Sequence, residues 1–228
     1  MPMQVPPGLL RRPDSNLTSL MKAEFEAVFQ QLPREPAAWP VVLPQQHPKW
    51  QFLSYVCDRH DVVLHGSCDI GLTEIEPRQA DDVRAYSSQR AIYATTDAIW
   101  AIFFAILNRR ECEFGVSNTC FTVTPDSGET LGPFYYFSVS KHALEAGPWG
   151  EGAVYLLPRA SFSQEKAQRH EEGVVSFPHW IGKAAATPYG FLAVGPEDFP
   201  FLEEVRGHDD EEQRRRYQED PNWRPWEG

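Results

Sequence analysis

The spacing of apolar residues changes along the chain, and each spacing predicts an element. In Asn16 to Leu32 (NLTSLMKAEFEAVFQQL), Leu17, Leu20, Met21, Phe25, Val28 and Phe29 recur at helical intervals, so an amphipathic helix is expected. Trp50 to Arg59 (WQFLSYVCDR) repeats that pattern, with Phe52, Leu53 and Val56 turned inward. Asp61 to Ser67 (DVVLHGS) differs: Val62, Val63 and Leu64 form a short continuous apolar run that a glycine ends, the mark of a buried strand. Arg90 to Leu107 (RAIYATTDAIWAIFFAIL) reads as a strand over Ala91 to Ala94, then a helix that Thr95, Thr96 or Asp97 caps. Ile99, Ile102, Phe103, Ile106 and Leu107 fill one face of that helix, widened by Trp100 and Phe104. Four more strand-like runs follow, at Thr119 to Val123, Tyr135 to Val139, Ala153 to Pro158 and Phe191 to Val194, separated by Gly, Pro and Asp clusters.

The polar stretches divide the chain. Residues 1–13 are Pro-rich, and Pro33 to Pro48 carries five prolines, the signature of an extended connector, so 1–48 reads as a helical extension with its linker. Residues 49–205 form the main domain. Residues 206–228 form a charged tail, a solvated helix or disorder, since Arg206 to Asp220 is nearly devoid of apolar positions. Gly195 to Leu202 (GPEDFPFL) reads as a structural turn whose Phe199, Phe201 and Leu202 anchor the tail. The polar run Cys68 to Gln89 is long enough for a functional loop.

Composition narrows the class. At 228 residues with 42% hydrophobic content, one sizeable core is expected, and 20 prolines with 15 glycines favour many short elements, so the fold class is α+β. The net charge of −11 argues against a broad grip on nucleic acid. Cys57, Cys68, Cys112 and Cys120 form no C-x-x-C pair and no grouping with histidine, so neither a metal site nor a disulfide framework is expected. No secretory leader and no membrane-length apolar run is visible, and a cytoplasmic protein with no membrane partner is expected. The chain has no G-x-S-x-G elbow, Walker loop, H-E-x-x-H pair or dinucleotide glycine fingerprint.

Two short motifs stand out, His65-Gly66-Ser67 and Tyr93-Ala94-Thr95, 28 residues apart and each on a strand-like run, the second followed by a W-A-x-F-F-A helix. This pattern resembles the ADP-ribosyltransferase superfamily, above all its bacterial members, which include the rifampin-modifying enzymes, the DNA-acting toxins and the RNA 2′-phosphotransferases. The resemblance rests on Val62 to Leu107. It implies a split antiparallel β-sheet core with N-terminal helices, in which two half-sheets flank a cleft for NAD as substrate. It also implies that His65 and Ser67 hold a ribose and that Tyr93 stacks on nicotinamide. Gly66 permits close approach of a ligand to the backbone, and Arg78 resembles a residue that meets the pyrophosphate.

Most members of the superfamily place a catalytic glutamate on a late strand. Here His179-Trp180 stands where a Glu-Trp pair would align, with Glu171 and Glu172 as the available acids, so His179 and Glu172 are the catalytic candidates. A histidine serves as a general base near neutral pH. The implied function is transfer of ADP-ribose from NAD to an unknown acceptor. The alternatives are a non-catalytic NAD or ADP-ribose binding module, a 2′-phosphotransferase-like enzyme, and an interaction protein that has lost the cleft.

Overall fold

The computed structural model describes residues 6, 8–33, 35–44, 46–79, 89–109, 113–170, 173–220 and 223–227. Glu171, Glu172, Cys112 and most of the second half of the polar run after Cys68 lie outside these residues.

In chain order the elements are β1 (Leu10–Arg11), α1 (Ser19–Gln30), β2 (Trp39–Pro40), α2 (Lys49–Arg59), β3 (Val62–Ser67), β4 (Arg78–Gln79) and β5 (Arg90–Thr95). Then come α3 (Ala98–Ile106), β6 (Val116–Pro125), β7 (Leu131–Ser140), α4 (Lys141–Ala146), β8 (Gly152–Pro158) and β9 (Phe162–Gln164). The chain closes with β10 (Gln168–His170), β11 (Gly173–Ser176), β12 (His179–Gly182), β13 (Gly190–Val194), β14 (Arg206–His208) and α5 (Asp210–Glu219). This is a mixed α+β fold built on two sheets. The first runs β1-β7-β6-β11-β10 with β14 also on β7; the second runs β2-β13-β8-β3-β5-β12-β9 with β4 also on β5.

Helix α3 lies between the sheets. Asp97 caps it, its carboxylate accepting the Trp100 N–H at 2.8 Å, and every residue but Phe104 is buried. A helix apolar on all sides needs partners all round. Phe103 meets Phe137 of β7 at 4.6 Å between ring centroids, and Val62, Leu64, Val154 and Leu156 of the second sheet join the same core. Two glycines make that seat possible. A Cβ on Gly66 would sit 2.1 Å from the Ala101 carbonyl oxygen, and one on Gly152 would sit 2.0 Å from that of Ala105. The opposite face of the second sheet carries a smaller core of Val63, Ile92, Ala94, Tyr155 and Phe162.

The segments before β3 and after β13 are woven into this body. β1 pairs with β7, β2 with β13, and β14 with β7; Phe25 of α1 is fully buried against Phe52 and Tyr55. The expected turn over Gly195 to Leu202 is present, with Phe199 and Phe201 in the main core and Asp198 accepting from the Gly195 N–H and from Lys49. Among the described residues no helix is long and apolar enough to cross a membrane, and the buried Cys57 and Cys120 are free thiols.

Candidate functional site

The two motif strands lie side by side but pair at one point only, Leu64 opposite Thr95. Beyond it they part. His65, Gly66 and Ser67 pair only with Tyr155, Val154 and Ala153 of β8, while β5 pairs with β12 and with β4. The His65 imidazole bridges the parted strands, its Nδ1 lying 2.7 Å from the Tyr93 carbonyl oxygen. A carbonyl only accepts, so Nδ1 carries the proton and Nε2 holds the lone pair of the neutral ring. Burial favours that neutral form and lowers the His65 pKa; the hydrogen bond to Tyr93 opposes the shift, and the positive charge of Arg78 adds to it. Among the described residues no hydrogen bond engages Nε2.

β3 is anchored where it begins. The Arg159 guanidinium donates to the carbonyls of Cys57, His60 and Val62, tying the end of α2 to the first residue of the strand. After β3 the chain is held by Tyr155, whose hydroxyl donates to the Asp69 carbonyl at 2.6 Å and accepts the Leu72 N–H at 3.0 Å. Ile75 bridges to Ala186, and the loop then delivers Arg78 to β4, opposite Ala91. Arg78 is exposed there, with its charge felt at His65.

The residues singled out by sequence take these places. The room at Gly66 faces α3 and is filled by its backbone, so the close approach at this glycine is helix on strand rather than ligand on strand. The Ser67 hydroxyl accepts the Asp69 N–H at 3.2 Å and shapes the turn after the strand. The Tyr93 hydroxyl donates to the Gln89 carbonyl at 2.7 Å and accepts the Gln89 N–H at 3.0 Å, fixing the phenol at the start of β5. Strand alternation puts Ile92 and Ala94 in the small outer core and Tyr93 on the face shared by Thr95, toward α3. His65 therefore meets the main chain of Tyr93, not its ring.

The Tyr93 ring has other company. His179 on β12 lies across from Thr95, its ring 5.7 Å from that of Tyr93 and 5.6 Å from that of Trp100. Trp100 is itself fixed by its indole N–H, which donates to Asn118 at 2.6 Å. The structure thus gathers Tyr93, His179 and Trp100 into one aromatic wall.

Sequence reasoning missed one member of this group. Glu165, just past β9, brings Oε2 to 3.2 Å from His179 Nδ1, and its own N–H donates to the His179 carbonyl at 2.9 Å. The two side chains are 9% and 12% exposed, so the pair is nearly withdrawn from water. His179 is thus met by a glutamate from just past the end of the neighbouring strand β9.

No protein-family model, no curated protein and no solved structure matches this chain.

Proposed function

We propose that the gap between β3 and β5 receives NAD and that the protein transfers ADP-ribose from it, on a split-sheet core of ADP-ribosyltransferase type. The observation that carries this reading is the parting of the two antiparallel motif strands on the side of the Leu64–Thr95 pair where His65 and Tyr93 lie, with His65 held across the gap by the Tyr93 carbonyl. His65 Nε2 accepts a ribose hydroxyl, with Ser67 beside it. The wall of Tyr93 and Trp100 offers an apolar face to the nicotinamide ring, and Arg78 at the rim meets the pyrophosphate. Cleavage of the nicotinamide–ribose bond builds positive charge on the ribose, which the nearby Glu165 carboxylate stabilises in a site shielded from water.

The test is nicotinamide release from NAD by the purified protein, with calorimetric NAD titration alongside. Tyr93→Ala is expected to abolish release. His65→Ala is expected to weaken NAD binding by about 1 kcal/mol, roughly fivefold, the net worth of one hydrogen bond. Saturable binding without release would make the protein a nucleotide-binding module, and equal affinity of wild type and His65→Ala would remove the ribose role.

A further inference from the structure

We propose that Arg78 and Lys183 clamp a diphosphate over Ala91, at the Tyr93 end of the gap, so that the site takes nucleoside diphosphates as a class. This rests on the gap between β3 and β5 being the ligand site, but not on the transfer of ADP-ribose.

The register of the sheet brings the two cations to one level. β4 sets Arg78 opposite Ala91 on one side of β5. On the other side β12 sets Gly182 opposite Ile92, which carries the next residue, Lys183, to the level of Ala91. Cross-strand partners share a face and residues alternate along a strand, so Arg78, Ala91 and Lys183 form a row on the face that Tyr93 also presents. Neighbouring strands lie about 4.8 Å apart, so the two main-chain positions are about 10 Å apart, with only a methyl group between them. Both side chains are long enough to close on one ligand from opposite sides.

Each cation is tied to the site. The Lys183 ammonium donates to the side-chain carbonyl of Gln89, and Gln89 in turn holds the Tyr93 hydroxyl through its main chain. From the other side, the charge of Arg78 reaches His65.

The two charges are also available. Among the described residues no carboxylate forms an ion pair with Arg78 or Lys183, no hydrogen bond engages the Arg78 guanidinium, and the Gln89 amide that meets Lys183 is neutral. Arg12, Arg159, Arg169 and Arg215 by contrast each face a carboxylate. In a chain with 32 acidic and 21 basic residues, two exposed cations that meet no acid and flank one small residue favour an anion. Arginine offers phosphate a planar fork and lysine a point charge. A diphosphate has two anionic groups joined through one oxygen, one for each cation, whereas a lone carboxylate engages one of them at a time.

The experiment is calorimetric titration of the full chain with ADP, inorganic pyrophosphate and adenosine, and of ADP against bound NAD. ADP and pyrophosphate are expected to bind, adenosine to bind at least about tenfold more weakly, and ADP to displace NAD. Lys183→Gln and Arg78→Gln are each expected to weaken ADP about fivefold, with Lys183→Arg close to wild type. Added salt should weaken ADP more steeply in wild type than in Lys183→Gln, a response that a purely structural role would not give. Both positions are exposed, so the variants should keep the wild-type urea midpoint. A Lys183→Gln protein with wild-type ADP affinity and salt dependence, or adenosine bound as tightly as ADP, would overturn the clamp and leave any nicotinamide release standing. ADP binding that needs both cations, in a protein that releases no nicotinamide, would support the clamp and overturn the transfer. A protein that binds neither NAD nor ADP would overturn both readings.

Discussion

Asp97 and Glu165 are both screened from water and both face a basic side chain, yet they are held in opposite ways. Every oxygen of Asp97 is engaged: Oδ1 accepts the Trp100 N–H, and Oδ2 accepts both the Tyr135 hydroxyl at 2.8 Å and the Arg12 guanidinium. Arg12 also donates to the Tyr135 oxygen at 3.1 Å, closing the triangle. Burial works against the Arg12 charge, but Asp97 and Tyr135 outweigh it and raise its pKa further; burial, with Asp97, likewise pushes the Tyr135 phenol well above its ordinary range. Arg12 and Tyr135 therefore both keep their protons across the ordinary pH range. Glu165 by contrast engages, among the described residues, one oxygen of two, against the His179 imidazole. The first acid is fixed on both oxygens, the second on one.

The largest test of that contrast is Arg12→Met. It strands Asp97 beside Tyr135 and should cost about 3 kcal/mol in urea denaturation, at the low end for a broken buried pair because the guanidinium keeps 27% of its surface exposed. The matching change, Glu165→Gln, should cost less than about 1 kcal/mol in the same assay, since the amide retains a hydrogen-bonding oxygen. Equal losses would mean that the two acids serve alike. Next in size is Gly66→Ala. The new Cβ meets helix backbone, which cannot swing aside, and the variant should lose about 2 kcal/mol and melt earlier by calorimetry. Because Asp97 caps α3 and the helix carries Trp100 to His179, this substitution disturbs both groups.

The smallest effect is a pH slope. His65 is held below its ordinary pKa, so as pH falls through about 6.5 the unfolded chain takes up a proton that the folded one refuses. Stability is therefore full above that range and declines below it. His208, lowered by burial against the opposing pull of Asp210, adds a decline of the same sign. His65→Gln should flatten the slope in part, read as the change in urea midpoint between about pH 7.5 and about pH 5.5.

Much of this was legible in the pattern of residues. β3, β5 and α3 follow from continuous apolar runs and an Asp cap, and the strands at β6, β7, β8 and β13 sit where alternation and turn residues place them. What escaped has a common cause. β9 to β12 are three or four residues long, with β10 wholly exposed, too short for a periodicity to mark them, and Glu165 sits in the mostly polar run Ser163 to Gln168. Only the pairing of β9 with β12 brings it to His179. Arg12 reads as one more charge before a proline, and its partner is 85 residues away. Gly66 was visible as a position of close approach, but the identity of the approaching group depends on where α3 docks.

One feature of the first sheet bears on how the chain is made. β7 is lined along its β1 and β14 contacts by segments from both ends of the described chain, Leu10–Arg11 and Arg206–His208, and the Gly8 backbone is pressed against that of Trp226. A ribosome releasing this protein has already emitted the whole of β7 when the strand that completes its pairing is still about 66 residues from synthesis. During that interval the nascent chain carries an unfinished sheet margin, and a chaperone that shields extended backbone would find its substrate there.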